Sequence, residues 1–371
     1  MQTEPGSSLP AGRWPVFGHT WAVQLLAKTI TPAAASGRSG PSHAYLLLGA
    51  PQIGKTTLAR AYAQALLCTH PSERPCHRCR ACELIARNAH PDVQFFRPRT
   101  KLPNKDDTVV DRLDGKILAD QADVLVHEAA LRAVEGRYRI LLIQDAHRAN
   151  DTFQNKVLKT LEEPPPNTIL LLTALDRGSV LPTIVSRCQV LNLRPLDVPT
   201  VQQALIDGWG AAPDGAALYA RLANGRLGWA VNQLADPESS RRRIEQLHTL
   251  WRLLAADRVD RLAFAETMAG ERSAGRDNRQ LFGMLELWIG WWRDVLLVQA
   301  GCPEACSNVD QAAELQRQAH LLAQKPAQES VSKLMHTIQR VEQYLHHTVN
   351  TRLALDVLVL NLPYLQSEPL A

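Results

Sequence analysis

The sequence predicts an α/β domain with a parallel sheet, followed by domains built only from helices. Apolar runs of strand length alternate with helical patterns through about the first 195 residues. Strand-like runs then disappear from Pro195 onward. The chain has 371 residues, of which 45% are apolar and 21% charged, and this composition suits a globular chain of two or three domains of about 150 residues each.

The first part of the chain contains short apolar runs separated by turn residues and helical patterns. Strands are expected at residues 44–48, 93–96, 139–143, 168–173 and 190–193, and helices at residues 14–30, 56–67, 120–134 and 153–161. Residues 101–107 are expected to form a polar loop. Alternation of this kind indicates a parallel sheet whose two faces are covered by helices.

The second part of the chain is helical throughout. Short helices are expected at residues 200–209, 214–223 and 229–234, and longer ones at residues 240–254, 279–300, 308–322 and 327–362. The change in helix length at Asp236-Pro237 suggests a further boundary. We therefore predict an α/β domain over residues 1–195, a small helical domain over 196–236, and a larger helical domain over 237–371.

Charge and hydropathy exclude several classes of protein. The net charge of +4 permits contact with nucleic acid without demanding it. No apolar run approaches the ~20 residues of a membrane-spanning helix. Residues 1–10 lack the basic and apolar regions of a secretory signal. We expect a cytoplasmic protein that makes no membrane contact.

A complete phosphate-binding motif follows the first predicted strand. Residues 49–56 match G-x-x-x-x-G-K-[ST], with Gly49 and Gly54 at the glycine positions. The glycines allow backbone N–H groups to surround a phosphate, and Lys55 adds a positive charge. The expected helix begins at Thr56, whose hydroxyl can hold Mg²⁺, and Thr57 follows it in the first turn. These residues are the candidate site for ATP and Mg²⁺.

Hydrolysis also requires an acidic residue after the third strand, to hold the metal, and a group that orients water. Here Gln144 and Asp145 occupy the positions where an Asp-Glu pair is usual. A neutral amide is a poor ligand for Mg²⁺. A register shifted by one place would make Asp145 the metal ligand and leave Ala146 at the catalytic position. In either register one of the two acidic residues is missing. The sequence therefore supports nucleotide binding better than it supports ATP hydrolysis.

Four cysteines follow the helix behind the phosphate loop. They are Cys68, Cys76, Cys79 and Cys82. Cys-x2-Cys spacing allows two sulfurs to reach one ion, and four thiolates complete a closed, structural zinc site. An iron–sulfur cluster is the alternative, and His70 or His77 could replace one thiol.

Several strings of this sequence resemble those of one family. They are Val16-Phe17-Gly18-His19, His43-Ala44-Tyr45-Leu46, His90-Pro91-Asp92, Leu158-Lys159-Thr160-Leu161-Glu162-Glu163-Pro164-Pro165, Ser186-Arg187-Cys188 and Asn350-Thr351-Arg352-Leu353-Ala354-Leu355. In these strings and in their order, the chain resembles the delta-prime family of bacterial DNA polymerase III clamp-loader subunits, which are AAA+ proteins.

This resemblance implies an AAA+ P-loop domain with a zinc module at residues 68–82, a helical lid and a helical collar. It implies that Arg187, between Ser186 and Cys188, acts as an arginine finger on the nucleotide of a neighbouring subunit. We expect Arg187 to lie on a loop after residues 183–185. The implied partners are gamma/tau and delta subunits, the sliding clamp, and primed DNA through the assembled hetero-oligomer.

The chain departs from the ATP-hydrolysing gamma/tau subunits of the same family. Those subunits carry the Asp-Glu pair that Gln144-Asp145 replaces, and a lid arginine where Gly228 stands here. Arg226 lies two residues before Gly228. Those subunits also have a polar sensor residue at the end of the fourth strand, where apolar residues follow Thr173 in this chain. These departures predict a subunit with little ATPase activity. The alternative is an active AAA+ ATPase, either a gamma/tau-like motor or another DNA-remodelling enzyme.

Two further groups of residues allow a nucleic-acid interpretation. The arginines near the cysteines and a later run could contact phosphates, although solvated charge is the simpler interpretation. They are Arg74, Arg78, Arg80 and Arg87, and Arg241-Arg242-Arg243. Trp288, Trp291 and Trp292 have helical spacing, which is more typical of a core or a subunit interface than of base stacking.

Overall fold

The computed structural model describes residues 12–30, 40–101, 109–111, 115–117, 120–273, 278–323, 328–346 and 350–365. These residues form two compact units. One lies within Met1–Ala216 and Asn224–Asn232, and the other within Ala217–Ala223 and Gln233–Ala371. The division into three domains stays a prediction. No helix in the described part of the chain is long and apolar enough to cross a membrane.

Strands and helices are interspersed up to residue 192, and among the described residues beyond it there are only helices. The elements up to residue 235 are α1 (Thr20–Ile30), β1 (Ala44–Leu48), α2 (Lys55–Leu67), α3 (Arg80–Ala86), β2 (Val93–Phe96), β3 (Arg99–Lys101), β4 (Val109–Asp111), α4 (Asp120–Ala130), β5 (Arg139–Ile143), α5 (Asp151–Glu162), β6 (Thr168–Ala174), α6 (Pro182–Arg187), β7 (Gln189–Asn192), α7 (Val198–Trp209), α8 (Pro213–Leu222) and α9 (Leu227–Ala235). The later helices are α10 (Pro237–Ala255), α11 (Arg258–Ser273), α12 (Asn278–Gln299), α13 (Ala312–Ala323), α14 (Gln328–His346) and α15 (Thr351–Leu360).

Five strands form one parallel sheet in the order β2-β5-β6-β1-β7. Successive side chains of a strand point to opposite faces, so β1 contributes to two separate cores. Tyr45 and Leu47 pack with residues of α1, α2 and α3, whereas Leu46 and Leu48 pack with residues of α4, α5 and α6. The sheet is therefore covered on both faces, and the predicted α/β class is confirmed.

The core of the second unit is built around tryptophan. Trp288, Trp291 and Trp292 on α12 are fully buried. Trp291 donates a hydrogen bond through Nε1 to Oε1 of Gln318 at 2.9 Å, which satisfies its polar atom in the core. The core interpretation of these tryptophans is confirmed, and base stacking is excluded by their burial.

The guanidinium of Arg261 on α11 is buried among the ends of two helices. It donates hydrogen bonds to five backbone carbonyls. The acceptors are Leu253 and Leu254 near the end of α10, and Val359, Leu362 and Pro363 at and beyond the end of α15. Carbonyls at helix ends lack intrahelical donors, so a buried cation there meets two favourable helix dipoles.

The arginines of the Arg241–Arg243 run are paired within their own unit. Arg241 lies 3.2 Å from a carboxylate oxygen of Glu245, and Arg242 pairs with Asp236. Arg243 is buried, and its guanidinium lies 2.7 Å from the carboxylate of Asp310. This run is therefore not an open basic patch for nucleic acid.

The structure also differs from the sequence predictions. It contains α3, α6, α11 and the antiparallel pair β3–β4, none of which was expected. The single helix expected over residues 327–362 is two helices. Asn350 caps the second of them, its side chain accepting a hydrogen bond from the backbone N–H of Leu353. Residues 1–10 and most of the expected loop at 101–107 lie outside the described residues.

Candidate nucleotide, metal and arginine-finger sites

The phosphate loop connects β1 to α2, as the motif requires. Gly54 precedes α2 with φ +105°, a left-handed conformation that glycine adopts without strain. Gly49 has φ +150°, and a Cβ there would lie 2.6 Å from the carbonyl oxygen of Leu193. Both fixed glycines are therefore explained by backbone geometry at the end of β1.

The ammonium group of Lys55 is bound by the loop itself. Its Nζ donates hydrogen bonds to the carbonyl oxygens of Gly49 and Ala50, at 2.6 and 2.8 Å. Burial lowers the pKa of Lys55 to about 8, and the negative charge of Asp145 partly opposes that effect. A phosphate entering the loop would have to replace these two carbonyls as the partner of Nζ.

The end of β5 lacks the usual pair of acids, and its backbone is tied to β6. Asp145 adopts a left-handed conformation with φ +53°. Its backbone N–H donates to the hydroxyl oxygen of Thr173 at 2.9 Å, and Thr173 is fully buried. The hydroxyl at the end of β6 thus accepts a hydrogen bond from the chain itself. Gln144, the preceding residue, offers no carboxylate for a metal.

Helix α9 contacts the phosphate loop through Gly228. The backbone N–H of Gly228 donates to the carbonyl oxygen of Gln52 at 2.9 Å. A Cβ at position 228 would lie 2.7 Å from the same oxygen. Any side chain at this position, an arginine included, would therefore displace the phosphate loop from its present contact with α9.

The four cysteines come together at the end of α2 and the start of α3. Their sulfurs lie within 4.8 Å of one another, and the Cys68 and Cys79 sulfurs are 4.0 Å apart. Sulfurs around a tetrahedral zinc lie about 3.8 Å apart, given Zn–S bonds of about 2.3 Å. Three of the thiols are buried and that of Cys79 is half-buried. The four cysteines are therefore a set that could bind a metal such as zinc.

The cysteine thiols differ in their ionisation. Burial acts to raise the pKa of Cys79, but hydrogen bonds from the backbone of Cys82 and Thr69 favour the thiolate and lower the pKa to about 6. Burial raises the pKa of Cys68 and of Cys82. A bound cation would favour the thiolate at every one of these sulfurs.

The two nearby histidines have other partners. Nε2 of His77 lies 2.7 Å from the carbonyl oxygen of Arg13, and Nδ1 of His70 accepts a hydrogen bond from the backbone N–H of Glu73. The group of possible metal ligands contains the four cysteines and neither histidine. The arrangement therefore favours a four-thiolate set.

Three arginines beside the cysteines bind other parts of the chain. Arg74 donates to the carbonyl oxygen of His70, Arg78 lies 3.8 Å from a carboxylate oxygen of Glu73, and Arg80 pairs with Glu135. These partners favour a solvated, internally paired surface over a DNA-binding finger.

Asp92, in the His-Pro-Asp string, fixes the loop before β5. Its buried carboxylate accepts hydrogen bonds from the backbone N–H groups of Val134, Glu135 and Gly136, at 2.6 to 2.8 Å. Burial acts to raise the pKa of Asp92, but these three donors outweigh it and hold the pKa below its usual value. The sequence showed this residue only as part of a string.

Arg187 is the last residue of helix α6, and the prediction that it lies on a loop after residues 183–185 is wrong. Pro182 favours the start of a helix, because its fixed φ suits the first turn and its missing N–H is not needed there. Ser186 donates its hydroxyl to the carbonyl oxygen of Thr183 within the same turn. Cys188 follows α6, and burial raises the pKa of its thiol to about 12.

The guanidinium of Arg187 is partly exposed and contacts the end of a second helix. Nη2 lies 2.9 Å from Oε1 of Glu162, the last residue of α5. Nη1 donates to the carbonyl oxygen of Thr183 at 3.1 Å and lies 3.4 Å from the hydroxyl of Ser186. The strings Leu158–Pro165 and Ser186–Cys188 thus meet in space, which the sequence alone did not show.

Comparisons with known proteins agree with the motifs. The family described as DNA polymerase III, delta subunit, matches residues 25–197. DNA polymerase III subunit delta' of Pseudomonas aeruginosa is 37% identical over 153 residues, which are 41% of this chain and 43% of that protein. The Bacillus subtilis delta' subunit is 26% identical over 322 residues, 86% of this chain and 91% of its own.

Other matches are more distant. The tau subunit of Escherichia coli is 30% identical over 191 residues, 50% of this chain and 27% of that protein. Among solved structures, a Thermotoga maritima RuvB mutant covers 63% of this chain and 65% of its own, with 16% identity and a TM-score of 0.39.

The matches to the Pseudomonas aeruginosa and Haemophilus influenzae delta' subunits span 43% and 42% of those proteins, which is less than half of their length. The Bacillus subtilis match extends the similarity into the helical part. The parallel sheet, the phosphate loop behind β1 and the Ser-Arg-Cys string at the end of α6 stand in the order expected from the sequence. The family match over residues 25–197 and the similarity to delta' subunits together support a relation of this chain to the delta-prime subunits of DNA polymerase III.

Proposed function

We propose that this chain is a subunit of a clamp-loader ring that assembles with gamma/tau and delta subunits in the cytoplasm. In this role it helps to place the sliding clamp on primed DNA. The observation that carries the proposal is the similarity to a delta' subunit over 322 residues, together with the similarity to tau subunits.

We further propose that the chain binds nucleotide weakly or not at all and hydrolyses ATP negligibly. Three observations support this. Gln144 cannot supply the charged oxygen that Mg²⁺ prefers. The ammonium of Lys55 is satisfied by two carbonyls of its own loop. Gly228 stands where an arginine would contact nucleotide, and its close approach to Gln52 leaves no room for a side chain.

The cysteine set is proposed to hold one structural zinc ion. Four thiolates would complete its coordination and leave no open position for a substrate. The ion would tie the end of α2 to the start of α3, since Cys68 follows the first helix and Cys82 lies in the second. Its contribution is to stability.

Arg187 is proposed to act on ATP held by the neighbouring subunit. A guanidinium keeps its charge and offers donors in a fixed fork to phosphate oxygens. A finger can be worth ~10³–10⁵ in rate at a site where it is the main stabiliser of charge. In a ring with several ATP sites, loss of Arg187 would remove the finger from only one site, so the total rate of ATP hydrolysis would fall by less than this factor.

The test is the Arg187→Ala variant, reconstituted with the other loader subunits, the clamp and primed DNA. Clamp loading and DNA-stimulated ATP hydrolysis should fall, while ring assembly and the unfolding temperature stay unchanged. Arg177→Ala is the matched control, because Arg177 is an exposed arginine ten residues earlier in the chain. Unchanged loading by an intact ring that contains Arg187→Ala would refute the finger.

The intact motif at residues 49–56 favours a second candidate, an active ATPase. Steady ATP turnover by the purified chain near ~1 s⁻¹, at the lower end of ordinary enzymes, and its loss in Lys55→Ala, would establish that candidate. Turnover indistinguishable from that of Lys55→Ala would support the interaction subunit instead.

A further inference from the structure

The ends of two helices meet at the proposed arginine finger. Glu162 ends α5 and Arg187 ends α6, and their side chains form an ion pair of 2.9 Å at the surface. Nη1 of Arg187 is held at the same time by the Thr183 carbonyl and lies near the Ser186 hydroxyl. These contacts use three of the five N–H donors that a guanidinium has.

We propose that Glu162 is a positioning residue for Arg187 in the assembled ring. This inference rests on the proposed role of Arg187 as a finger. An exposed arginine side chain has many rotamers of similar energy, and ordering them opposes any interaction that it makes. The carboxylate of Glu162 selects one arrangement before the neighbouring subunit arrives. The two donors that these contacts leave over can then bind phosphate oxygens without a further search.

The strength of the pair suits positioning rather than folding. Both side chains are partly exposed, with relative exposures of 36% for Arg187 and 50% for Glu162. Ion pairs at such sites shift an equilibrium by no more than about fivefold. That is too little to decide whether the domain folds, but enough to change how often the guanidinium is correctly placed.

The chemistry decides which kinetic constant changes. In the neighbour's site, the oxygen of a water molecule forms a bond to the γ-phosphorus, and the bond from that phosphorus to the bridging oxygen breaks. ADP leaves with the electron pair and inorganic phosphate is released as hydrogen phosphate, so one of the water's protons stays on the phosphate and the other passes to solvent. Charge on the phosphate oxygens changes most in the transition state. A better placed finger therefore raises kcat and leaves the KM for ATP unchanged.

The adjacent glutamate provides a matched control. Glu163 follows Glu162 in the sequence, is exposed, and lies outside α5 as its C-terminal cap. Glu162→Gln and Glu163→Gln remove the same charge from neighbouring positions. Only the first removes the carboxylate that contacts Arg187.

The experiment compares reconstituted loaders that contain the wild-type chain, Glu162→Gln, Glu163→Gln, Arg187→Ala or the Glu162→Gln/Arg187→Ala double variant. The measured quantity is the part of DNA-stimulated ATP turnover that depends on Arg187. We expect Glu162→Gln to lower this part about two- to fivefold, with KM and the unfolding temperature unchanged. Glu163→Gln should match wild type, and the double variant should equal Arg187→Ala.

The outcomes separate the inference from the function on which it rests. If Arg187→Ala changes nothing, the finger itself is refuted and the role of Glu162 falls with it. If Arg187→Ala is defective but Glu162→Gln is normal or faster, only the positioning role is refuted. The same holds if Glu162→Gln lowers turnover equally in the Arg187→Ala background. Glu162→Asp, which keeps the charge on a shorter side chain, should fall between wild type and Glu162→Gln.

Discussion

The phosphate loop and the cysteine module lie on either side of α2, and both are recognised by the spacing of their residues. In the cysteine module the spacing alone predicts the clustering of the thiols, because all four belong to one segment. Their sulfurs come within 4.8 Å of one another. In the phosphate loop the motif is also complete. In the function proposed above, however, ATP hydrolysis would also depend on the residues at the positions of Gln144, after β5, and Gly228, in α9, and the motif does not include them.

The difference shows what a local motif can predict. A structural metal site made by one segment has all of its ligands in that segment, so the spacing of the ligands in the sequence predicts their geometry. A nucleotide site in a parallel sheet draws residues from several strands and from a helix beyond the sheet. Such a site can therefore have a complete phosphate-binding loop and still lack the residues that bind the metal and catalyse hydrolysis.

The largest expected effect is the loss of the proposed metal. In Cys82→Ser, zinc content should fall from about one per chain to near zero, because a closed site needs all four thiolates. The free energy of unfolding should fall by at least about 3 kcal/mol. Metal analysis and thermal unfolding, with and without a chelator, measure both effects.

Cys302→Ser is the control, since Cys302 lies outside the cluster. It should retain zinc and unfold at the wild-type temperature. A Cys82→Ser chain with full zinc and unchanged stability would remove the distinction between the two motifs, because the cysteine spacing would then have failed as a predictor.

Much of the fold could be predicted from such local patterns, and the exceptions have physical causes. The buried strands β1, β5 and β6 consist largely of continuous apolar runs, and runs of this length predict buried strands directly. Helix α6 has only six residues, too few for a periodic pattern, so the sequence predicts a loop at Arg187 where the structure has a helix end. The pairing of Glu162 with Arg187 joins residues 25 positions apart, and no spacing rule predicts such a contact.

A smaller effect is expected at Asp92, beside the cysteine module. The loop that Asp92 holds packs against Leu67, the residue before Cys68, since a Cβ at Gly136 would lie 2.5 Å from the Leu67 side chain. Asp92→Asn should lower the free energy of unfolding at pH 7 by about 2 kcal/mol, because charge-assisted bonds to three backbone donors are weakened. Urea unfolding measures the change.

The difference should also depend on pH. The pKa of Asp92 is lower in the folded chain than in the unfolded one, where it is about 3.9. The stabilisation is therefore present above that value and declines as the pH falls through the folded pKa. Wild type and Asp92→Asn should converge in acid, whereas Asp214→Asn, in the exposed first turn of α8, should differ little from wild type at any pH. A difference that stays constant down to acid pH would contradict this account.

The smallest stability effect is expected where α9 meets the phosphate loop. Gly228→Ala introduces a Cβ 2.7 Å from the Gln52 carbonyl oxygen, and we expect a loss of about 1 kcal/mol. Gly215→Ala is the control, because a Cβ there meets no atom within 4 Å and alanine favours a helix. It should be neutral or stabilising. Equal unfolding temperatures for the two variants would show that α9 does not restrain the loop.

The five carbonyl contacts of Arg261 have a consequence for how the second unit opens. One guanidinium binds the final turns of α10 and α15, so neither end can fray without leaving donors of the same buried side chain unsatisfied. Separate helix ends usually exchange their amide hydrogens with solvent independently and quickly. Here the two ends should exchange with one common rate, as a single cooperative segment held together by a side chain from a third helix.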